Sequence, residues 1–399
     1  MALPFSRRGL SAAVLLGAVV GLAACAPQVS GPSYYPSPQA GGPALPPQPA
    51  RAKVALLLPL SGPNASLGQP LLNAAQLALF EQGGPGFEFI PRDTGGTPTG
   101  AAAAARNAMA EGARILVGPL TAQETAAVAA PARAAGVPVL PFTNDANQAG
   151  PEVWPLGLTP EQQVRRVVAA AQAQGVRRFG LAAPDGALGR QMASALRGAA
   201  RDLDLPAPVV ELYPAAAAPA LAAREVAQGI GASSSEGGSG SGVEMLLLGE
   251  SGARARDFVG GLVSAGAAVP PLRLGGLALW AYDDSLTQQP ALAGAWFPGP
   301  DPAAHNQFES RYQAAFGEKP VRVAGVAYDA AALAARAMSG ATPDSPPRMP
   351  VGEVVLGADG ALRLNEGGKV QRALAVYALS PGAPPATVAP AELPGELGF

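Results

Sequence analysis

The chain has 399 residues, 48% hydrophobic and 14% charged, with 50 glycines and 43 prolines; it can build a large core and is no disordered polyelectrolyte. Its formal net charge is -2, with no block of Lys or Arg suited to a phosphate backbone, which argues against nucleic acid as a partner. One cysteine and one histidine leave no disulfide framework and no histidine-rich metal site.

Residues 1–24 read as an export signal: Arg7 and Arg8, then an apolar stretch from 10 to 24, shorter than the roughly 20 residues a permanent span needs. Leu22-Ala23-Ala24-Cys25 resembles the bacterial lipobox, which implies lipidation at Cys25 after cleavage. Ser6-Arg7-Arg8 also resembles a twin-arginine signal, so the export route stays open between the general and twin-arginine systems. Residues 25–51, rich in Pro, Gly and Ser, read as an extended tether.

From Lys53 onward, aliphatic runs alternate with alanine-rich amphipathic segments, the signature of an α/β fold with parallel sheets. Strands are predicted over 54–60, 87–93, 114–120 and 137–142. Helices are predicted over 71–81, 101–111 and 121–135, the last opened by a capping box from Thr121 to Glu124. Thr159 and Pro160 open a helix to Gln174, closed by Gly175. A second set follows, with strands over 177–184, 208–213, 243–249 and 271–276 and helices after Gly186, near 218–229 and over 252–265. Two such sets imply two lobes rather than one large sheet. The low-complexity stretch 231–242 reads as a flexible insertion, and 381–399 as a loose tail.

The chemistry of catalysis is absent from the motifs: no P-loop, no complete dinucleotide-binding glycine pattern and no nucleophile elbow. His305, on a helix between Asp301-Pro302 and Phe316, reads as a surface polar residue. Asp283 and Asp284 read as solvated turn acids. The expectation is a non-enzyme with no cofactor and no metal. In open α/β sheets, ligands bind where strands end and helices begin. That places Ser61, Thr121, Ala122, Thr143, Asn144 and Asp145 as ligand-cleft candidates; a helix cap at Thr121 and a turn at Asn144-Asp145 are equally good readings.

At these residues a family resemblance enters. KVALLLPLSGPNASLGQPLLNAAQLAL, Asp93-Thr94 before an alanine helix, ILVGPLTAQETAAVAAPARAAGVPVLPFT and Ala327-Tyr328-Asp329-Ala330-Ala331 together resemble the type I periplasmic binding proteins of the leucine/isoleucine/valine-binding class. The resemblance implies two Rossmann-like lobes with parallel sheets, joined by a three-crossover hinge and closing on a ligand. It implies a binding domain over 52–380, with lobe 1 about 52–154 and 298–345 and lobe 2 about 155–297 and 346–380. The amino-acid site of that class carries over poorly: Ala122 stands beside Thr121, Leu188-Gly189 replaces a Tyr-Gly pair, and no acid near 274–277 matches the ammonium-binding residue. An unpaired buried zwitterion would be costly.

The segment LGGLALWAYDDSLTQQPALAGAWFPGPDPAAHNQFESRYQAAFGEKP resembles the penicillin-binding protein activators, lipoproteins of the same fold whose longer members carry an additional helical-repeat domain. That resemblance implies a protein on the periplasmic side of the envelope, lipid-anchored in the outer membrane, whose partner is a peptidoglycan synthase. The alternative is a lipid-anchored solute receptor for amino acids or related molecules, whose partners are a small-molecule ligand and an ABC permease. In both, the membrane is engaged through the N-terminal lipid.

Overall fold

The runs of aliphatic residues become parallel strands because helices cover both of their faces. β1 (Ala52–Leu58), β2 (Phe87–Asp93), β3 (Ala113–Val117) and β4 (Val139–Leu140) form a parallel sheet in the order β2-β1-β3-β4. Along β1, Val54, Leu56 and Leu58 enter one core with α1 (Gly68–Gln82), while Ala55 and Leu57 enter another with α2 (Pro98–Ala110) and α3 (Ala122–Ala134). The period of two thus feeds two cores, leaving no polar face. The structure, a computed structural model, describes residues 51–83, 87–231, 242–339, 341 and 345–395. The chain divides into two units, Met1–Pro49 and Ala50–Phe399. The expected signal peptide, Cys25 and the tether up to residue 50 lie outside the described residues, as do 232–241 of the expected insertion.

The second lobe begins at α4 (Pro160–Ala173), opened by the predicted Thr159 cap in a capping box with Gln162. It continues through β5 (Phe179–Pro184), α5 (Ala187–Asp202), β6 (Val209–Tyr213), α6 (Pro219–Gly229), β7 (Met245–Leu248), α7 (Gly252–Ser264), β8 (Arg273–Gly275) and β9 (Trp296–Gly299). The chain then returns to the first lobe as α8 (Pro302–Phe316) and α9 (Ala324–Met338). Helix α9 is buried almost all round, which only its alanine-rich sequence permits between α1 and the sheet. β10 (Val354–Gly357), β11 (Gly360–Leu364) and β12 (Val370–Arg372) form a small antiparallel sheet, and β13 (Leu374–Ala378) and β14 (Ala386–Glu392) complete a seven-stranded sheet ordered β14-β13-β9-β8-β7-β5-β6.

Two expectations change. The family pattern places about 346–380 in lobe 2, yet Val355, Ala358, Leu362 and Leu364 share a core with Leu56 and Tyr328 in lobe 1, and only β13 of that stretch joins the lobe-2 sheet. Their alternating apolar residues need a buried face, and α9 supplies it. Within the stretch expected to be a loose tail, Ala386–Glu392 form β14, which pairs antiparallel with β13, and Arg166 binds the Pro390 carbonyl at 2.5 Å and the Glu392 carboxylate at 3.3 Å. Pro390 is tolerated because β14 is an edge strand, with one row of N–H groups not needed for pairing.

The lobes are joined by three crossovers, at 157–159, 300–301 and 373, held by hydrogen bonds to the loops and strands beside them. Gly157 N–H reaches the Thr143 carbonyl at 3.0 Å, Asp301 N–H the Asp359 carbonyl at 2.9 Å, and Tyr377 Oη the Pro300 carbonyl at 2.7 Å. At the centre Asp329 and Arg372 form a buried ion pair at 2.6 Å, and Arg372 Nε also binds the Leu156 carbonyl at 3.0 Å. One side chain therefore holds the ends of two crossovers together.

His305 is not a free surface residue. Its Nδ1 lies 2.7 Å from Asp359 Oδ1 in the β10–β11 turn, and this hydrogen bond raises its pKa above the ordinary value despite partial burial. The folded protein therefore holds the proton more tightly than the unfolded chain. The resulting stabilisation is complete below the unfolded pKa and disappears as pH rises through the raised one. Asp359→Asn should bring the imidazole pKa down, and an NMR titration reads this without ambiguity because His305 is the only histidine; an unchanged midpoint would contradict the pairing.

Candidate functional site

Because every strand of the first sheet is parallel, the C-terminal ends of β1 to β4 share one edge, and the loops there carry the sequence-predicted residues. Ser61, after β1, donates its hydroxyl to Asp93 Oδ2 at 2.6 Å. Asp93, at the end of β2, also accepts the N–H groups of Leu60, Ser61 and Gly95 at 3.0, 3.1 and 2.8 Å. These bonds, the Ser61 hydroxyl foremost, hold its carboxyl below the usual range despite some desolvation.

Thr121 caps α3 as predicted. Its Oγ1 accepts Glu124 N–H at 3.2 Å and donates to Glu124 Oε2 at 2.8 Å, and that same oxygen accepts Thr121 N–H at 3.0 Å. Glu124 is fully buried, and its second oxygen, Oε1, has no hydrogen-bond partner. A carboxylate at a helix N-terminus is favoured by the dipole. Ala122 is the half-buried first residue of α3. Thr143 is buried and accepts Asp145 N–H at 3.1 Å, while Asp145 caps a short 3-10 turn through Asn147 N–H at 3.0 Å. Asn144 is exposed. The topology thus brings Ser61, Thr121, Ala122, Thr143, Asn144 and Asp145 to one edge, but Thr121, Thr143 and Asp145 spend bonds on local structure.

The facing part of the second lobe is defined by the ends of β5 to β8. Here the chain fills its own edge. Trp280, 1% exposed, lies against Gly276, where a Cβ would come within 2.1 Å of the indole, so only glycine fits. The indole Nε1–H donates to the Glu250 carbonyl at 3.0 Å. The Glu250 carboxylate, in turn, accepts the Tyr213 hydroxyl at 2.9 Å and Arg254 Nη2 at 2.7 Å. Burial, followed by the Glu250 charge, pushes the Tyr213 phenol well above its ordinary pKa, so it stays a neutral donor. Two residues on, Tyr282 meets lobe 1, with the Arg322 guanidinium 5.6 Å from its ring centre.

Sequence reasoning missed Asp93, Glu124 and Glu250 as members of these edges. Glu250 was the most visible of them, because it stands two residues after the aliphatic run of β7, in the loop at that strand's end. Among the described residues no three His, Cys, Asp or Glu side chains gather as metal ligands, and no helix is long and apolar enough to cross a membrane. The carboxylates on both edges are engaged by hydroxyls, backbone N–H groups or Arg254, an arrangement suited to holding loop shape and to polar contact.

Comparison with known proteins places this geometry. A family described as periplasmic binding protein matches residues 51–349. A putative branched-chain amino acid ABC transporter from Rhodospirillum rubrum has a similar structure at 19% identity, with a TM-score of 0.72, over 85% of this chain and 100% of that one. Full-length LpoA from Haemophilus influenzae matches at 21% identity and a TM-score of 0.65, over 86% of this chain but 59% of LpoA. LivJ from Streptococcus pneumoniae, solved with isoleucine, matches at 19% and 0.57, over 86% of this chain and 100% of that one. No curated protein matches the chain in sequence.

Proposed function

The chain belongs to the periplasmic binding protein family, and from that premise we propose that it is a non-enzymatic, lipid-anchored envelope lipoprotein acting as a penicillin-binding protein activator, regulating peptidoglycan synthesis by protein contact. The observation that carries this reading is the second lobe's edge. At that edge Trp280 is buried in the second lobe's own core and Glu250 is already bound to Arg254 and Tyr213, so neither offers the free polar group that a solute receptor needs. A ligand would have to displace these bonds and leave polar groups unpaired, a cost of about 1–3 kcal/mol for each. The lipobox at Cys25 and the likeness to LpoA support the same reading.

A solute receptor feeding an ABC permease is the competing reading, favoured by the polar first-lobe edge at Ser61, Thr121 and Thr143. A thermal-shift screen of amino acids, amides and nucleosides separates the two. A receptor at one hundred times its dissociation constant gains roughly 2.7 kcal/mol of stability, whereas the activator reading predicts a flat screen. In cells, Cys25→Ser should leave the fold intact and release the protein from membranes. Persistent membrane fractionation of the variant would refute lipid anchoring.

A further inference from the structure

A cavity of about 650 Å³ lies on the second lobe, away from both strand edges, between the first turn of α6, helix α7 and the 3-10 turns that follow Asp283. Its size falls within the range of roughly 300–1,000 Å³ typical of small-molecule sites. Two guanidinium groups line it, from Arg224 on α6 and Arg256 on α7, against a single acid, Asp257. Among the described residues, neither arginine has a carboxylate within ion-pair distance. Arg256 Nη1 donates to Gln288 Oε1 at 2.7 Å, which orients the planar group, yet its Nε is buried with no hydrogen-bond partner. With Nε out of reach, what Arg256 offers to the cavity is the part of its guanidinium that Gln288 leaves open.

The backbone around it is built to the same end. α6 starts at Ala218 and Pro219 with no side-chain cap, so its first turn presents uncapped positive dipole to the cavity. On α7 two consecutive glycines stand mid-helix, where glycine is among the poorest helix formers. Gly261 is required because a Cβ there would come within 2.5 Å of the Ala220 backbone. Gly260 keeps the wall bare, since a Cβ would press on Gln289 Nε2 at 3.2 Å.

We propose that this cavity binds a small anionic molecule bearing a carboxylate or phosphate group, held between Arg224 and Arg256 at the N-terminus of α6. Arg256 supplies the guanidinium edge not taken by Gln288, Arg224 closes the solvent side, and the opposed charge is worth more here than on open surface because Arg256 is partly desolvated. The site is independent of the partner that the strand edges serve.

Calorimetric titration of the purified full chain with inorganic phosphate, and separately with citrate, tests it at low ionic strength. Saturable binding of either anion is expected. Arg256→Gln and Arg224→Gln should each weaken it about tenfold, the worth of one charge-assisted hydrogen bond, while Arg197→Gln, on α5 outside the cavity, should leave it unchanged. Binding of one anion and not the other, lost in the same two variants, supports the proposal and assigns the group. Absence of saturable binding by both anions, or binding that survives both substitutions, overturns it.

Discussion

Replacing Arg372 by alanine should destabilise the folded chain by about 3–5 kcal/mol, because it leaves the Asp329 carboxylate buried without its counter-charge. Asp329 is fully buried, and its Oδ1 accepts Ala358 N–H at 2.6 Å while Oδ2 meets Arg372. Even with that partner, burial pushes the Asp329 carboxyl up to about 6. Without it the folded pKa rises further above the unfolded value. The sign of the pH dependence follows: protonation is favoured in the folded state, so the variant's deficit is smallest at low pH and grows as pH rises through the folded pKa. The double variant Asp329→Leu, Arg372→Met should recover only part of the loss: it removes the unpaired charge but leaves the Ala358 N–H and the Leu156 carbonyl without their side-chain partners. Denaturant unfolding at several pH values reads all of this. A single variant within 1 kcal/mol of wild type would mean that the pair does not bind the crossovers together.

Trp280→Ala should cost about 3–5 kcal/mol, the usual range for removing a buried aromatic side chain and leaving its cavity. The indole is held between Gly276 and the Glu250 carbonyl, so truncation also orphans a buried acceptor. Trp280→Phe keeps much of the volume and loses the Nε1–H donor, and should cost less. Urea denaturation of the two variants separates packing from hydrogen bonding. Equal, small losses in both would show that the indole does not fill the edge as described.

The order of elements was legible because local signals agreed with burial: β1's aliphatic run, the Thr121-to-Glu124 capping box, and the Thr159-Pro160 helix start all stand where the pattern put them. The antiparallel pieces were not. β10 and β11 carry an alternating pattern that names a half-buried strand but not which lobe covers it, and Pro390 masks β14 as a strand because an edge position forgives it. The site was half legible. Thr121 and Ser61 follow strands in sequence, but Asp93's bonds to Ser61 span |i−j| of 32 and Trp280's bond to Glu250 spans 30, and such pairings exist only once the sheet order is known. His305 was misread for the same reason: Asp359 lies 54 residues away.

The central claim is that this chain acts through protein contact and not by solute capture. Its most direct test is the polymerisation and crosslinking rate of the cognate peptidoglycan synthase with and without the purified protein. The account predicts faster synthesis on addition of the wild-type chain; an unchanged rate with the cognate synthase would contradict it.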